Sequence, residues 1–197
     1  LREALETYAV GKAVERIRPE QLERLEHLLE EMREAVETLK QSDADRLAPE
    51  AIQRHLAADM AFHAVLVSAS GNLQIADTIR KKRVLARILT THVSPFDLPM
   101  ITRVYRFHCR ILQAVKRGDA DGARLATAEH IRSGMEEMLG NLDRREEQRE
   151  LQEADLVAEA EDALLDSGYP LPEAYSELSS DRGQGGSTTD ARDGEYA

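Results

Sequence analysis

The sequence predicts an all-α fold, an antiparallel bundle of six to seven helices. Its apolar residues recur at spacings of three and four and almost never at two, which is the period of a helix and not of a strand. The 197 residues are 42% hydrophobic but only 4% aromatic, with no tryptophan, a composition that suits helices packed through Leu, Ile, Ala and Val. Short connections between the apolar segments favour antiparallel neighbours.

The first three helices follow from their turn and capping residues. Helix one is predicted at about Leu1–Ile17 and helix two at about Pro19–Leu39, because proline suits the first turn of a helix. A polar break follows at Ser42–Asp45. Helix three is predicted at about Pro49–Ser70, where the next residue, a glycine, can take the left-handed C-terminal position.

Three more helices are predicted in the second half of the chain. Asn72 caps helix four, and the two prolines in Thr91–Pro99 predict a loop after it. Helix five is predicted at about Ile101–Lys116. The turn at Gly118-Asp119 ends this helix and caps helix six, which is predicted at about Ala120–Leu142.

The distribution of charge divides the chain into a neutral domain and an acidic extension. Residues 1–142 carry 21 basic and 21 acidic residues, whereas residues 143–197 carry 5 basic and 16 acidic residues. Helix-spaced apolar residues in Asp143–Asp166 predict a helical start to the extension, and the Gly, Ser, Thr, Pro and Asp content from Ser167 onward predicts disorder. Without concentrated positive charge, we do not expect these residues to grip nucleic acid.

Other composition signals bear on the compartment. The single cysteine, Cys109, excludes an internal disulfide framework and fits a reducing, cytoplasmic compartment. No apolar run approaches the roughly 20 residues of a membrane-spanning helix, so no membrane partner is expected. The chain opens at Leu1 within a predicted helix and without a secretory signal, so we expect a segment upstream of it.

Four side chains of metal-ligating type stand on three of the predicted helices. Asp59 and His63 are four residues apart and project from one face of helix three. His108 lies ten residues before the Gly118-Asp119 turn and His130 eleven after it, so at about 1.5 Å per residue both imidazoles sit roughly 15 Å from the turn. Three imidazoles and a carboxylate suit a divalent transition metal, zinc first and nickel, manganese or iron as alternatives.

Open space beside this quartet is predicted by small residues on the face of His130, namely Ala123, Ala126, Thr127 and Gly134. An octahedral ion with four protein ligands keeps two positions for water or a carboxylate, so a small acid could bind there. The arginines of helix four, Arg80, Arg83 and Arg87, could fork onto that acid, although a solvated face is their ordinary role.

The remaining histidines and the cysteine are weaker candidates. His27 stands among glutamates and is expected in solvent. His55, one turn before Asp59, could support the ligands from behind, but it is expected to face water. His92 lies in the predicted loop and could cover the cavity, although an ordinary loop position is favoured. Cys109 points about 100° away from its neighbour His108 and is a poor co-ligand.

Three segments of the sequence, taken together, form a recognisable pattern. The opening LREALETYAVGKAVERIRPEQLERLEHLLEEM, the DMAFHAVLVSASGN segment with Asp-x-x-x-His before Gly-Asn, and the hairpin HCRILQAVKRGDADGARLATAEHI occur in this order. Over about residues 1–142 they resemble the C-terminal effector-binding (FCD) domain of GntR-type transcription regulators of the FadR subfamily. Phe107 departs from the pattern, in which an acidic residue often precedes the hairpin histidine.

The resemblance implies that the bundle holds a divalent metal in a central cavity through Asp59, His63, His108 and His130. It implies a small organic acid as effector, often completing the shell of the metal, and a homodimer. The family's winged-helix DNA-binding domain would lie before Leu1, so contact with DNA is expected only through such a domain. The resemblance implies no role for the acidic extension.

The sequence therefore predicts a metal-dependent, acid-sensing regulatory domain and not an enzyme. Two alternatives from other classes stay open. A metal with an open position can activate water, so a hydrolase is chemically possible, although no further Glu or Asp stands on the faces of the quartet as an obvious general base. A structural dimerisation module, in which the histidines merely pack, is the other.

Overall fold

The computed structural model describes residues 1–166 and confirms the all-α fold. Its helices, in chain order, are α1 (Arg2–Arg16), α2 (Pro19–Lys40), α3 (Pro49–Ala69), α4 (Leu73–Val93), α5 (Leu98–Lys116) and α6 (Ala120–Asp166). The predicted turn residues act as expected. The side chain of Asn72 caps α4 by accepting the amide of Ile75 at 3.1 Å, and Gly71 and Gly118 adopt φ angles of 76° and 70°.

The predicted loop at Thr91–Pro99 is too long at both ends. Helix α4 continues to Val93 and α5 already begins at Leu98. The physical reason lies in the cap, because the carboxylate of Asp97 accepts the amide of Met100 at 2.9 Å and Pro99 fits the first turn of a helix. Helix α6 also passes the predicted end at Leu142 without a break.

The main apolar core lies among α1, α2, α3, α5 and the first turns of α6. Phe62 of α3, Leu25 of α2 and Ile111 of α5 are fully buried in it, with Ala123 of α6. Helix α3 packs on α1, α2 and α4 and buries one broad face, which includes His55, Phe62 and His63. This position brings Asp59 and His63 of α3 close to the other helices.

The chain divides into two compact units, Leu1–Arg144 and a second one that starts at Arg145. In the second unit the described residues are helical, and its Leu151, Leu156 and Val157 side chains are exposed. The disorder predicted from Ser167 onward lies outside the described residues. None of the helices in residues 1–166 combines the length and the apolar character that crossing a membrane requires.

Candidate metal centre

The four predicted ligands meet in the centre of the first unit. One donor atom from each of Asp59, His63, His108 and His130 lies within 4.8 Å of the other three. The Nε2 atoms of His63, His108 and His130 lie 3.8, 3.2 and 3.9 Å from the same oxygen, Oδ1 of Asp59. The structure thus brings together side chains from α3, α5 and α6, of which Asp59 and His130 are 71 positions apart in the sequence.

Hydrogen bonds on the far side of two rings fix which nitrogen carries the proton. His108 Nδ1 lies 2.8 Å from the carbonyl oxygen of Val104, and His63 Nδ1 lies 3.1 Å from Oε2 of Glu6. Both partners accept only, so each Nδ1 donates and each neutral ring turns an Nε2 lone pair inward.

Two inward lone pairs beside a carboxylate need a cation between them. Within the described part of the chain, Nε2 of His63 and of His108 are buried and make no hydrogen bond, although His108 Nε2 is only 3.2 Å from Asp59 Oδ1. Two acceptors at this separation repel each other unless a proton or a metal ion joins them. The donor set, three imidazoles and one carboxylate, is one that zinc and neighbouring transition metals accept.

A buried ion-pair network holds the closed side of this cluster. Arg83 of α4 donates to Oε2 of Glu6 through Nε at 3.2 Å and Nη2 at 2.9 Å, and to Oδ2 of Asp59 through Nη1 at 3.2 Å. Arg2 donates to Oε1 of Glu6 at 2.9 Å. Arg83 thereby joins α1, α3 and α4 around the carboxylates that orient the cluster.

The protonation states agree with this arrangement. Burial would raise the pKa of Asp59 and of Glu6. The adjacent ring of His108 and the charge of Arg83 hold the pKa of Asp59 below its usual value, and the hydrogen bond from His63 and the charge of Arg83 do the same for Glu6. Burial and the charge of Arg83 lower the pKa of His63 to about 4. Burial and the neighbouring His108 and His63 lower the pKa of His130 well below its usual value. At neutral pH both are therefore neutral rings with a free lone pair.

Glu6 is the site residue that the sequence interpretation missed. Its carboxylate, of which only 2% is exposed, orients His63 from a helix that is remote in sequence. A signal was present, because Glu6 stands three and four residues before the buried Ala9 and Val10 and so lies on the inward face of α1. An acid on an apolar stripe needs a buried partner.

A cavity of about 140 Å³ adjoins Asp59 and His130, between α3, α4, α5 and α6, and Arg2 and Arg83 of the ion-pair network stand at its border. Gly134 lines it, as predicted from its small size, together with Met100 and Val104 of α5. Ala123 and Ala126 were expected to leave open space beside the quartet, and this prediction is wrong. Both are buried in the apolar core, where neighbouring side chains fill the space. Thr127 is buried as well.

The three arginines of α4 occupy three different environments. Arg83 is buried and bound to Glu6 and Asp59, as described above. Arg87 lines the cavity and donates to Oε1 of Gln53 at 2.7 Å. Arg80 is exposed, pairs with Asp77 at 2.9 Å, and does not line this cavity.

The structure corrects the prediction for His55. This side chain is 3% exposed and lines the cavity, because α3 is covered by other helices on the side that was expected to face water. Burial lowers its pKa. His27 is exposed and lies 3.1 Å from Glu31, as predicted, and His92 is also exposed.

Comparisons with known proteins bear on both the fold and the family. Residues 1–133 match the model of the FCD domain family. Among solved structures, E. coli McbR/YncC has a TM-score of 0.60 and 20% sequence identity, over 71% of this chain and 64% of that one. The likeness at this identity concerns the fold, and the chain spans less than two thirds of that protein's length. No curated protein matches in sequence.

Proposed function

The chain belongs to the FCD-domain family, as its motifs predicted, and from this membership we propose that it is a metal-dependent sensor of a small organic acid. In this proposal it is the effector-binding domain of a GntR/FadR-type transcription regulator. The FCD domain supports an effector-binding regulatory role, and the metal and the acid are our own inference from the site.

The observation that carries the metal is the convergence of three imidazole nitrogens on Oδ1 of Asp59. Asp59, His63, His108 and His130 would hold the ion, with zinc the first expectation and nickel, manganese or iron as alternatives. Bound there, the ion would act as a Lewis acid with an open coordination position, which the carboxylate of an organic acid could fill.

Arg87 and the cavity support the proposal that the ligand is an acid. The cavity adjoins Asp59 and His130, and the guanidinium of Arg87 lies at its wall. An arginine that is bound to a neutral amide, here Gln53, keeps its positive charge for an anionic ligand. Arg83 would hold Asp59 in place and not bind the acid itself, because Glu6 and Asp59 already engage its nitrogens.

The same network offers a route to regulation. An acid at the metal would change the charge around Asp59, to which Arg83 is bound together with Glu6 of α1. Helices α1 and α4 would then repack, and DNA-binding domains attached before Leu1 in a homodimer would change their spacing. Such control requires that the acid bind two states with different affinity.

We place this function in residues 1–142 and give the acidic extension, residues 143–197, no part in metal binding. The homodimer would cover apolar side chains that α4 exposes one turn apart, Val84 and Ile88. The proposed cellular location is the cytoplasm, where a regulator meets DNA.

Metal analysis of purified protein tests the central proposal. We expect about one equivalent of a divalent transition metal in the unaltered protein, and little in His63→Ala and His130→Ala. His27→Ala is the matched control, because His27 is exposed and lies away from the cluster. Equal metal content in all three variants would remove the metal from the account.

One observation favours a second candidate, metal-dependent hydrolysis. His55 adds a buried imidazole to the cavity, and its lowered pKa keeps the ring neutral, with a lone pair that can accept a proton. Turnover of small esters by metal-loaded protein, lost in His55→Gln with metal content unchanged, would support this candidate. Binding of acids without any turnover supports the sensor.

A further inference from the structure

The wall of the cavity beside Asp59 and His130 is rich in methionine. The sequence contains five methionines, and four of them line this cavity: Met60, Met100, Met135 and Met138. They come from α3, α5 and α6, so they approach from several directions. The fifth, Met32, lies in the apolar core. Thioether side chains are flexible and polarizable, which lets them fit apolar bodies of differing shape.

Positive charge is concentrated at another part of the same cavity. Arg87 lies there with Nη1 3.4 Å from Sδ of Met60 and Nη2 bound to Gln53, and in residues 1–166 no ion pair of Arg87 with a carboxylate is seen. The proposed metal position at Asp59 and His130 adds to this charge. The cavity thus combines a cationic end, to which Arg2 and Arg83 also contribute, with a mainly thioether and aliphatic wall that is interrupted by polar side chains. The aliphatic part includes Leu56, Val104 and Ile131, and the polar part Thr90, Ser94 and Glu137.

We infer that the effector is a small monocarboxylic acid with an apolar body, and not a hydroxy acid or a dicarboxylic acid. This inference rests on the proposed function and narrows its ligand class. The carboxylate faces the metal and Arg87, and the hydrocarbon part packs against the methionines.

The size of the cavity limits the ligand. Its volume is about 140 Å³, and an apolar cavity of about 150 Å³ takes a molecule the size of benzene. A short aliphatic or a single-ring acid therefore fits, whereas a long acyl chain exceeds the space.

The methionine side of the wall disfavours polar bodies. A hydroxyl group that lies against it meets thioether sulfur, which is only a weak acceptor, or aliphatic carbon, whereas polar partners such as Thr90 and Ser94 line other parts of the cavity. A buried polar group without a partner binds worse than the apolar group it replaces. A second carboxylate would be still worse, because the carboxylate of Glu137, which already pairs with Arg103, lines the cavity together with the methionines of α6 and would repel it.

Binding of three acids with equal numbers of non-hydrogen atoms tests the inference. Pentanoate, glycerate and malonate differ in polarity but not in atom count. With zinc-loaded full-length protein in isothermal titration calorimetry, we expect pentanoate to bind at least about tenfold more tightly than glycerate or malonate. Hexanoate and benzoate should bind within about tenfold of pentanoate, since methionines adapt to shape.

A double variant on α6 tests whether its methionines contact the apolar part of the ligand. In the double variant Met135→Gln and Met138→Gln, the preference for pentanoate over glycerate should fall by about tenfold or more, with metal content unchanged. Leu139→Gln is the matched control, because Leu139 is 52% exposed, close to the 51% of Met135, but does not line the cavity. This control should keep the full preference.

The outcomes separate this inference from the proposed function. Tighter binding of glycerate or malonate than of pentanoate overturns the apolar effector and leaves acid sensing intact. Absence of binding by all five acids to metal-loaded protein overturns both. An unchanged preference in the double methionine variant, with its metal retained, also overturns the assignment of the wall.

Discussion

The two sides of the histidine cluster differ in almost every physical respect. Toward α1, the cluster meets Glu6 and Arg83, which are buried, charged and bound to one another. Toward α5 and the middle of α6, it meets a cavity of about 140 Å³ whose wall includes four methionines and which Arg83 borders. The comparison teaches that one side fixes the positions of the donor atoms and the other side leaves room for something to bind them.

The largest expected effect comes from breaking the closed side. Arg83→Leu would leave the carboxylates of Glu6 and Asp59 buried without their main cation, and loss of one partner of a buried ion pair costs about 3–5 kcal/mol of stability. Chemical denaturation should show this decrease. Arg80→Leu is the control, because Arg80 is exposed, and it should unfold like the unaltered protein. Equal midpoints for both variants would contradict the role assigned to Arg83.

Acid should weaken the metal-free protein, and the sign follows from the lowered pKa of His63. Its folded pKa of about 4 lies below the usual value near 6.5. As the pH falls from about 6.5 to 4, the unfolded chain takes up a proton that the folded chain refuses, so the free energy of unfolding decreases, by about 3 kcal/mol at most. The lowered pKa values of Asp59 and Glu6 extend the loss below pH 4.

Denaturation of chelator-treated protein at a series of pH values measures this effect. In His63→Gln the slope between pH 6.5 and 4 should be shallower, because that side chain no longer titrates. A free energy of unfolding that is constant or rises as the pH falls through this range would show that His63 is not held neutral.

Glu6→Gln should lower metal affinity while the fold survives. The amide keeps the shape of Glu6 but removes the charge that orients His63 and raises its basicity, and loss of such a partner typically costs about 10- to 100-fold in affinity. Competition with a chromogenic chelator measures it. Glu3→Gln is the matched control, since Glu3 lies one turn earlier on α1 and pairs with Arg132 at the surface. Identical affinities in the two variants would separate Glu6 from the site.

The smallest effect is expected on the open side. Arg87→Leu should retain the full metal content but bind pentanoate about tenfold more weakly, since it removes one charge-assisted contact and no metal ligand. Calorimetry on zinc-loaded protein gives both numbers. Loss of metal in this variant would mean that Arg87 belongs to the closed side after all.

The sequence was sufficient for the fold and the quartet, because both depend on local spacing. Amphipathic periods and the caps at Asn72 and Gly118 set the helices, and the equal distances of His108 and His130 from one turn placed them at one height. The loop at Thr91–Pro99 was misjudged because a proline fits both a loop and the first turn of a helix.

The surroundings of Glu6 and His55 depend on the tertiary arrangement. Local spacing could place Glu6 on the inward face of α1 but could not identify its partner, because the hydrogen bond from Arg83 to Glu6 joins residues 77 positions apart. His55 was expected in water because a surface helix has an exposed face, but in α3 that face carries Gln53, Ala57 and Ala64, and His55 lies on the covered side. In both cases the tertiary arrangement decided what the side chain meets.

Anomalous diffraction from crystals of the purified protein, recorded at the absorption edge of the metal found by elemental analysis, tests the central claim most directly. We predict one peak about 2.0–2.2 Å from Oδ1 of Asp59 and from Nε2 of His63, His108 and His130. A cluster without a peak, in which these four side chains bond only to one another or to water, would contradict the account.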